Sequence, residues 1–322
     1  MNRIPDMLSE IDIIYLWCDI NDEKFRRKKA DFAGLVMPAK ESDHACHYRS
    51  NDELKYSLRS AEKYAPWIRN IYIVTDEQTP PWLNAEHPQI KIIDVKEIMP
   101  ETALPCFNSC AIEHCLDNIP GLSECFLYSN DDMFFGNPVF PEDFFTADGY
   151  PICRYGKKIS PRRSGQYFEL CRNANKLIST LLDKKFNYGN HHNIDAYKKS
   201  DIKKVKEIFK EEIERTIHSH FRNGCNIHRM IYTDYSCLVG NGVFKKVIAG
   251  SLWEKVWMFL KNGKKRDSKM LFASSTNNLD ILKKYNPLMF CLNDDMNCDE
   301  MLLKKSQKFL ENIFPEKSCF EK

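Results

Sequence analysis

Residues 126–136 read FLYSNDDMFFG, and the fold turns on how this stretch is read. Phe126, Leu127 and Tyr128 have the character of a buried strand, and Met133, Phe134 and Phe135 resume it immediately after the turn. Three polar residues, Asn130, Asp131 and Asp132, stand between the two apolar runs. A strand that ends on carboxylates is typical of an α/β sheet, where ligands sit outside the carboxyl ends of the strands. Such an Asp-Asp pair is either a turn whose acids face water or a grip on a divalent cation, because hard cations prefer carboxylate oxygens.

Working outward from this stretch, strands and helices alternate. Ile11–Trp17 is rich in β-branched and aromatic residues. Ser50-Asn51-Asp52-Glu53 has the spacing of a capping box. Leu54, Leu58, Ala61 and Ala65 then draw one apolar helical stripe that Pro66 ends. IRNIYIVTD and IKIIDV read as further strands, Asn108–Leu116 as a helix, and CFLYSN as the strand entering the opening stretch. This pattern predicts an α/β fold with a mainly parallel, Rossmann-like (GT-A-like) sheet. The sequence is expected to form a single unit with three parts. Residues 11–150 make an α/β half, 151–224 a mainly helical insertion capping the cleft, and 225–322 short strands and a C-terminal helix completing the site. Within that last part MIYTDYSCLVG reads as β-like, and Glu300 to about Ile313 as an amphipathic helix.

Composition narrows the class. Of 322 residues, 43% are hydrophobic and 12% aromatic, as in a globular protein. Lysine plus arginine, 47, nearly balances aspartate plus glutamate, 45, which argues against a nucleic-acid partner. No apolar stretch is long enough to span ~30 Å of hydrocarbon, and acids punctuate the N-terminal segment where a secretory signal would need an apolar run. The expected setting is the cytoplasm, with peripheral association at the inner membrane face left open. Thirteen cysteines without a CxxC motif read as reduced, mostly buried thiols.

A second stretch repeats the opening one: FCLNDDMN, residues 290–297, places Asn293, Asp294 and Asp295 after an apolar strand. Two such strand tips could converge on one ion. His191 and His192 precede Arg222 by about thirty residues. Histidine suits general-base work and arginine offers a fork of donors for phosphate oxygens, although either could equally decorate a surface.

Taken in order, these residues resemble the Stealth family. Its members are bacterial capsular polysaccharide sugar-phosphotransferases related to the catalytic part of the lysosomal-enzyme N-acetylglucosamine-1-phosphotransferase. The resemblance is carried by four blocks. They are IDIIYLWCDIND; the long run from RSNDELKYSLRSAEKYAPWIRN through LPCFNSCAIEHCL to IPGLSECFLYSNDDMFFGNPVFPEDFF; HHNIDAYKKS extending to HSHFRNG; and FCLNDDM with FLENIFPEKSCFEK. In the first block relatives carry Trp-Val-Asp/Asn-Gly, where this chain has Trp17-Cys18-Asp19-Ile20.

The resemblance implies an enzyme that transfers a sugar with its attached phosphate from a UDP-sugar, commonly UDP-N-acetylglucosamine, to an acceptor hydroxyl. The acceptor would be a growing polysaccharide or oligosaccharide, and UMP would leave. It also implies roles. Asp132 and Asp294, with Asp131, would hold Mg²⁺, or Mn²⁺ in its place. Arg222 would stabilise phosphoryl charge. His192 would take the hydroxyl proton, with His191 as the fallback. Asp19, Asn51 and Asp52 would surround the nucleotide, and Glu113 would join the metal or acceptor site.

Overall fold

The computed structural model describes residues 10–38, 44, 48–248, 253, 256, 266–294 and 298–322. In chain order the first elements are β1 (Asp12–Leu16), α1 (Glu23–Val36), α2 (Glu53–Tyr64), β2 (Ile71–Thr75), β3 (Ile90–Asp94), α3 (Val95–Ile98), α4 (Ser109–Glu113), β4 (Cys125–Asn130) and β5 (Met133–Phe135). Next come β6 (Ile152–Lys158), α5 (Gln166–Leu182), β7 (Tyr188–Asn190), β8 (Asp195–Lys198), α6 (Lys199–Ile208), α7 (Lys210–Ile217) and α8 (Met230–Val239). The remaining elements are β9 (Val243–Lys246), β10 (Ser268–Phe272), α9 (Asn278–Tyr285), β11 (Met289–Asn293) and α10 (Glu300–Ile313).

The central sheet has the order β3-β2-β1-β4-β8. Its first four strands are mutually parallel, and β8 joins β4 antiparallel at the edge. Side chains alternate across a strand, and both faces are filled. Ile14, Tyr72, Val74, Phe126 and Tyr128 feed one core, while Ile13, Tyr15, Ile71, Ile73 and Leu127 feed the other. Burial on both faces explains why these strands read as continuous apolar runs in the sequence. This is the expected Rossmann-like, mainly parallel sheet. Strand order reverses direction between β1 and β4, which makes the gap between their carboxyl ends the topological switch point.

Helix α2 carries the predicted stripe: Leu54, Leu58 and Ala61, with Ala65 at its C-cap, are at most 2% exposed. The capping box does not form. Ser50 Oγ accepts the Trp17 indole N–H instead (3.2 Å), and Glu53 is drawn to Asn51. Residues 151–224 contribute strands as well as helices. Within them β8 completes the central sheet, and β6 and β7 form a small sheet with β9. The run beginning at Met230 is helix α8, not strand. Met230 to Asp234 are all buried, so the helix has no polar face to reveal its period. A third sheet, β10-β11-β5, packs Phe134, Phe290 and Leu292 against Leu310 and Phe314 of the α10 region.

Candidate active site

The two acidic strand tips meet because of sheet register. At Asn130 the chain leaves the central sheet, turns through Asp131 and Asp132, and enters β5. Strand β5 pairs antiparallel with β11, Met133 lying opposite Cys291. One step further, the Leu292 N–H donates to the Asp132 carbonyl (2.8 Å). Asn293 and Asp294 are thereby carried to the same opening as Asp131 and Asp132, and all four line one cavity of about 490 Å³. Asp295 lies outside the described residues. The carboxyl ends of β1 and β2 also line this cavity, through Trp17, Cys18, Thr75 and Asp76.

Each of the two key carboxylates has one occupied and one open oxygen. Asp132 Oδ2 accepts from the Cys291 thiol (3.2 Å). Asp294 Oδ2 accepts from Arg49 Nε (3.0 Å) and Nη2 (2.5 Å). Asp132 Oδ1 and Asp294 Oδ1 are buried and have no hydrogen-bond partner among the described residues. An unmatched buried acceptor is costly, and both residues line the one cavity.

The ionisation of these acids is distorted in the same sense. Burial pushes Asp132 up to about 6, with the Asp294 charge adding to it. Burial, then Glu53 and Asp132, push Asp131 well above the usual carboxylate range. Glu53 is raised to about 7 by burial, against its two hydrogen bonds from Asn51. Among the described residues no three His, Cys, Asp or Glu side chains converge as a closed cage. Magnesium does not need one. It is commonly held by one or two carboxylates, with water and substrate phosphates completing the octahedron. The donor set therefore fits.

Cations line the same cavity. Arg222 lines the cavity and donates through Nη2 to Ser109 Oγ (2.5 Å). Arg229, only 5% exposed, donates to Glu113 Oε1 (3.2 Å) and Asp195 Oδ2 (3.0 Å), and lies over the Tyr128 ring at 4.4 Å. Glu113 Oε2 is buried with no hydrogen-bond partner among the described residues. His192 lines the cavity and stacks on Tyr167, ring centroids 5.3 Å apart. Burial pulls its pKa down to about 4, helped by Arg229 and Arg222, so the imidazole is neutral at neutral pH and able to accept a proton.

Of the residues expected from sequence, Asp131, Asp132, Asp294, Glu113, His192 and Arg222 share this cavity. Four others do not line it. His191 is buried elsewhere, its Nδ1 paired with Ser268 Oγ of β10 (2.6 Å). The fallback role therefore has no geometric basis. Asp19 turns back on its own loop, Oδ1 accepting from the Asn21 N–H (2.9 Å). Asp52, in a left-handed conformation at the N-cap of α2, pairs with Lys55 (2.7 Å) and accepts from Gln307 (3.1 Å). Asn51 donates to Glu53 from its N–H (2.6 Å) and Nδ2 (2.8 Å), so it acts on the cavity through Glu53.

Arg49, Glu53, Asp76, His228 and Arg229 also line the cavity, although none of them was expected as a site residue. A signal for two of them existed. From His218 to Arg229 the chain carries three histidines and two arginines with no acid, an unusual density of positive or donor groups.

Fold and cavity define an α/β protein with a mainly parallel, Rossmann-like sheet. Its candidate site lies at the switch point and is lined by both acids and cations. Residues 47–153 match the family described as Stealth protein CR2, conserved region 2. An exopolysaccharide phosphotransferase of Nocardia farcinica is 32% identical over 336 residues, covering 98% of this chain and 62% of that protein. One of Streptomyces coelicolor is 37% identical over 251 residues, covering 74% of this chain and 42% of that protein. Another, of Lactiplantibacillus plantarum, is 48% identical over 142 residues, covering 44% of this chain and 41% of that protein. Residues 47–153 thus carry the second conserved region of the Stealth family. The chain spans 42% to 62% of the length of the first two of these relatives to be matched across most of the chain.

Proposed function

We propose that this chain transfers a sugar-1-phosphate from a UDP-sugar to an acceptor hydroxyl in capsular or exopolysaccharide synthesis. The favoured donor carries an N-acetylhexosamine such as N-acetylglucosamine. The acceptor oxygen attacks the phosphorus attached to the sugar, the bond to the bridging oxygen breaks, and UMP leaves. The product is a phosphodiester. The observation that carries this reading is that Asp132 and Asp294, each with one unpartnered carboxylate oxygen, line one cavity together with Arg222, Arg229 and a neutral His192. The names of the relatives support it.

Phosphoryl transfer asks a protein mainly for positioning and charge stabilisation. His192 accepts the proton of the attacking hydroxyl. Arg222 binds the equatorial oxygens of the transferred group, where negative charge is concentrated. Arg229 fixes Glu113 at the cavity wall. Asp132 and Asp294, with Asp131 beside them, would hold magnesium (or manganese), which when bound supplies Lewis-acid polarisation of the diphosphate. Partner association with capsule machinery belongs to the same proposal. Among the described residues no helix is long and apolar enough to cross a membrane.

The leaving nucleotide tests the reading. Incubation with a panel of UDP-sugars, Mg²⁺ and an oligosaccharide acceptor should release UMP, identified by mass spectrometry together with a sugar-phosphate adduct. Release of UDP would instead make the protein a metal-dependent glycosyltransferase. Arg222→Ala should lower turnover about 10²–10³-fold with the fold intact, measured by initial rates and circular dichroism.

A further inference from the structure

The cavity contains a repeated arrangement that the reaction alone does not explain. Two acids, one just before β5 and one just after β11, are each tied down at one oxygen by a neighbour that does not belong to the acidic set. On β11 the fully buried Cys291 donates its thiol hydrogen to Asp132 Oδ2 (3.2 Å). From the loop before α2, Arg49 takes Asp294 Oδ2 with both Nε (3.0 Å) and Nη2 (2.5 Å). In both cases Oδ2 is the occupied atom, and in both cases Oδ1 is buried and left without a partner. The two donors are chemically unrelated and come from separate segments, yet the result is the same. Each carboxylate can offer a cation one oxygen only.

We propose that Arg49 and Cys291 are positioning residues that restrict Asp132 and Asp294 to single-oxygen coordination and so select a small octahedral cation over calcium. The inference rests on the cation reading given under Proposed function. The chemistry is direct. Magnesium accepts single oxygens in near-ideal octahedral geometry at 2.0–2.1 Å, whereas calcium takes 6–8 oxygens at longer distance and readily uses both oxygens of one carboxylate. Hydrogen bonds to the non-coordinating oxygen fix the orientation of a metal-binding carboxylate, and losing them typically changes affinity about 10–100-fold. A guanidinium fork gripping one oxygen is a strong restraint of this type. The thiol is weaker, but its place on β11, opposite Met133 in the ladder, holds it against Asp132.

The test measures selectivity and not rate. Binding of Mg²⁺, Mn²⁺ and Ca²⁺ is followed by isothermal titration in the absence of nucleotide for the wild type, Arg49→Gln, Cys291→Ala and Cys291→Ser. Wild type should prefer Mg²⁺ and Mn²⁺. Arg49→Gln and Cys291→Ala should each shift the Mg²⁺/Ca²⁺ affinity ratio toward calcium by about tenfold, and Cys291→Ser, which keeps a donor, should restore most of it. Thermal melts confirm that each variant is folded, and a loosened fold would weaken all three ions together without moving their ratio. An unchanged ratio in both variants overturns the positioning role while leaving the cation reading intact. Failure of the wild type to bind any of the three ions overturns the cation reading and this inference with it.

Discussion

Arg229 shows how much of the site rests on a single side chain. It is almost fully buried and is shared by Glu113 and Asp195, with the Tyr128 ring beneath it. Arg229→Met leaves two buried carboxylates without their common cation. The expected loss is about 3–5 kcal/mol of stability, measured by urea denaturation, because removing one partner of a buried pair strands the other. His192 carries a pH signature. Its pKa falls from the ordinary 6.5 to about 4 on folding, first through burial and then through Arg229 and Arg222. A lowered histidine value means that the neutral form is favoured in the fold. Its contribution is complete above pH 6.5 and is lost as pH falls through about 4. His192→Phe should therefore lose less stability than wild type between pH 6.5 and pH 4, in paired denaturation curves. At this scale sequence reading went as far as residue type and block. Two adjacent histidines were visible, but which of them faces the cavity depends on chain direction after β7. Likewise the block Arg49 to Glu53 was found, but the cavity takes its first and last members and leaves Asn51 and Asp52 in supporting positions.

Among elements, the pairing of β5 with β11 decides whether the acidic tips meet. Gly136, just after β5, lies so close to this seam that an added Cβ would stand 2.7 Å from the Pro287 carbonyl oxygen. Backbone, not a flexible side chain, is what it would meet. Gly136→Ala should cost about 1–3 kcal/mol, as overpacking does, seen as a lower midpoint in denaturant. It should also weaken cation binding, because the strand that carries Met133 opposite Cys291 must shift. The four parallel strands of the central sheet were legible as apolar runs, and helices α2 and α10 by their apolar period, whereas β8 was not foreseen. Helix α8 was not. Its Ile, Tyr and Thr residues favour strands locally, and burial from Met230 to Asp234 removed the polar side that would have given it away.

For the molecule as a whole, the α/β class followed from strands alternating with helices, and the position of the site followed from where parallel strands end. The small sheets were harder to foresee, since β6, β7 and β9 come from distant segments and only tertiary packing joins them. Most cysteines among the described residues are buried, and no disulfide joins any two of them. Melting temperature should be the same with and without dithiothreitol, measured by differential scanning calorimetry; a drop on reduction would show that a disulfide contributes.

The turn Asp131–Asp132 is also where the backbone passes from one sheet to another. Whatever holds those two side chains therefore also holds a joint between two sheets, whose residues Leu127, Met133, Phe135 and Cys291 belong to one core. An ion seated there, as proposed, would stiffen that joint as well as fill the cavity.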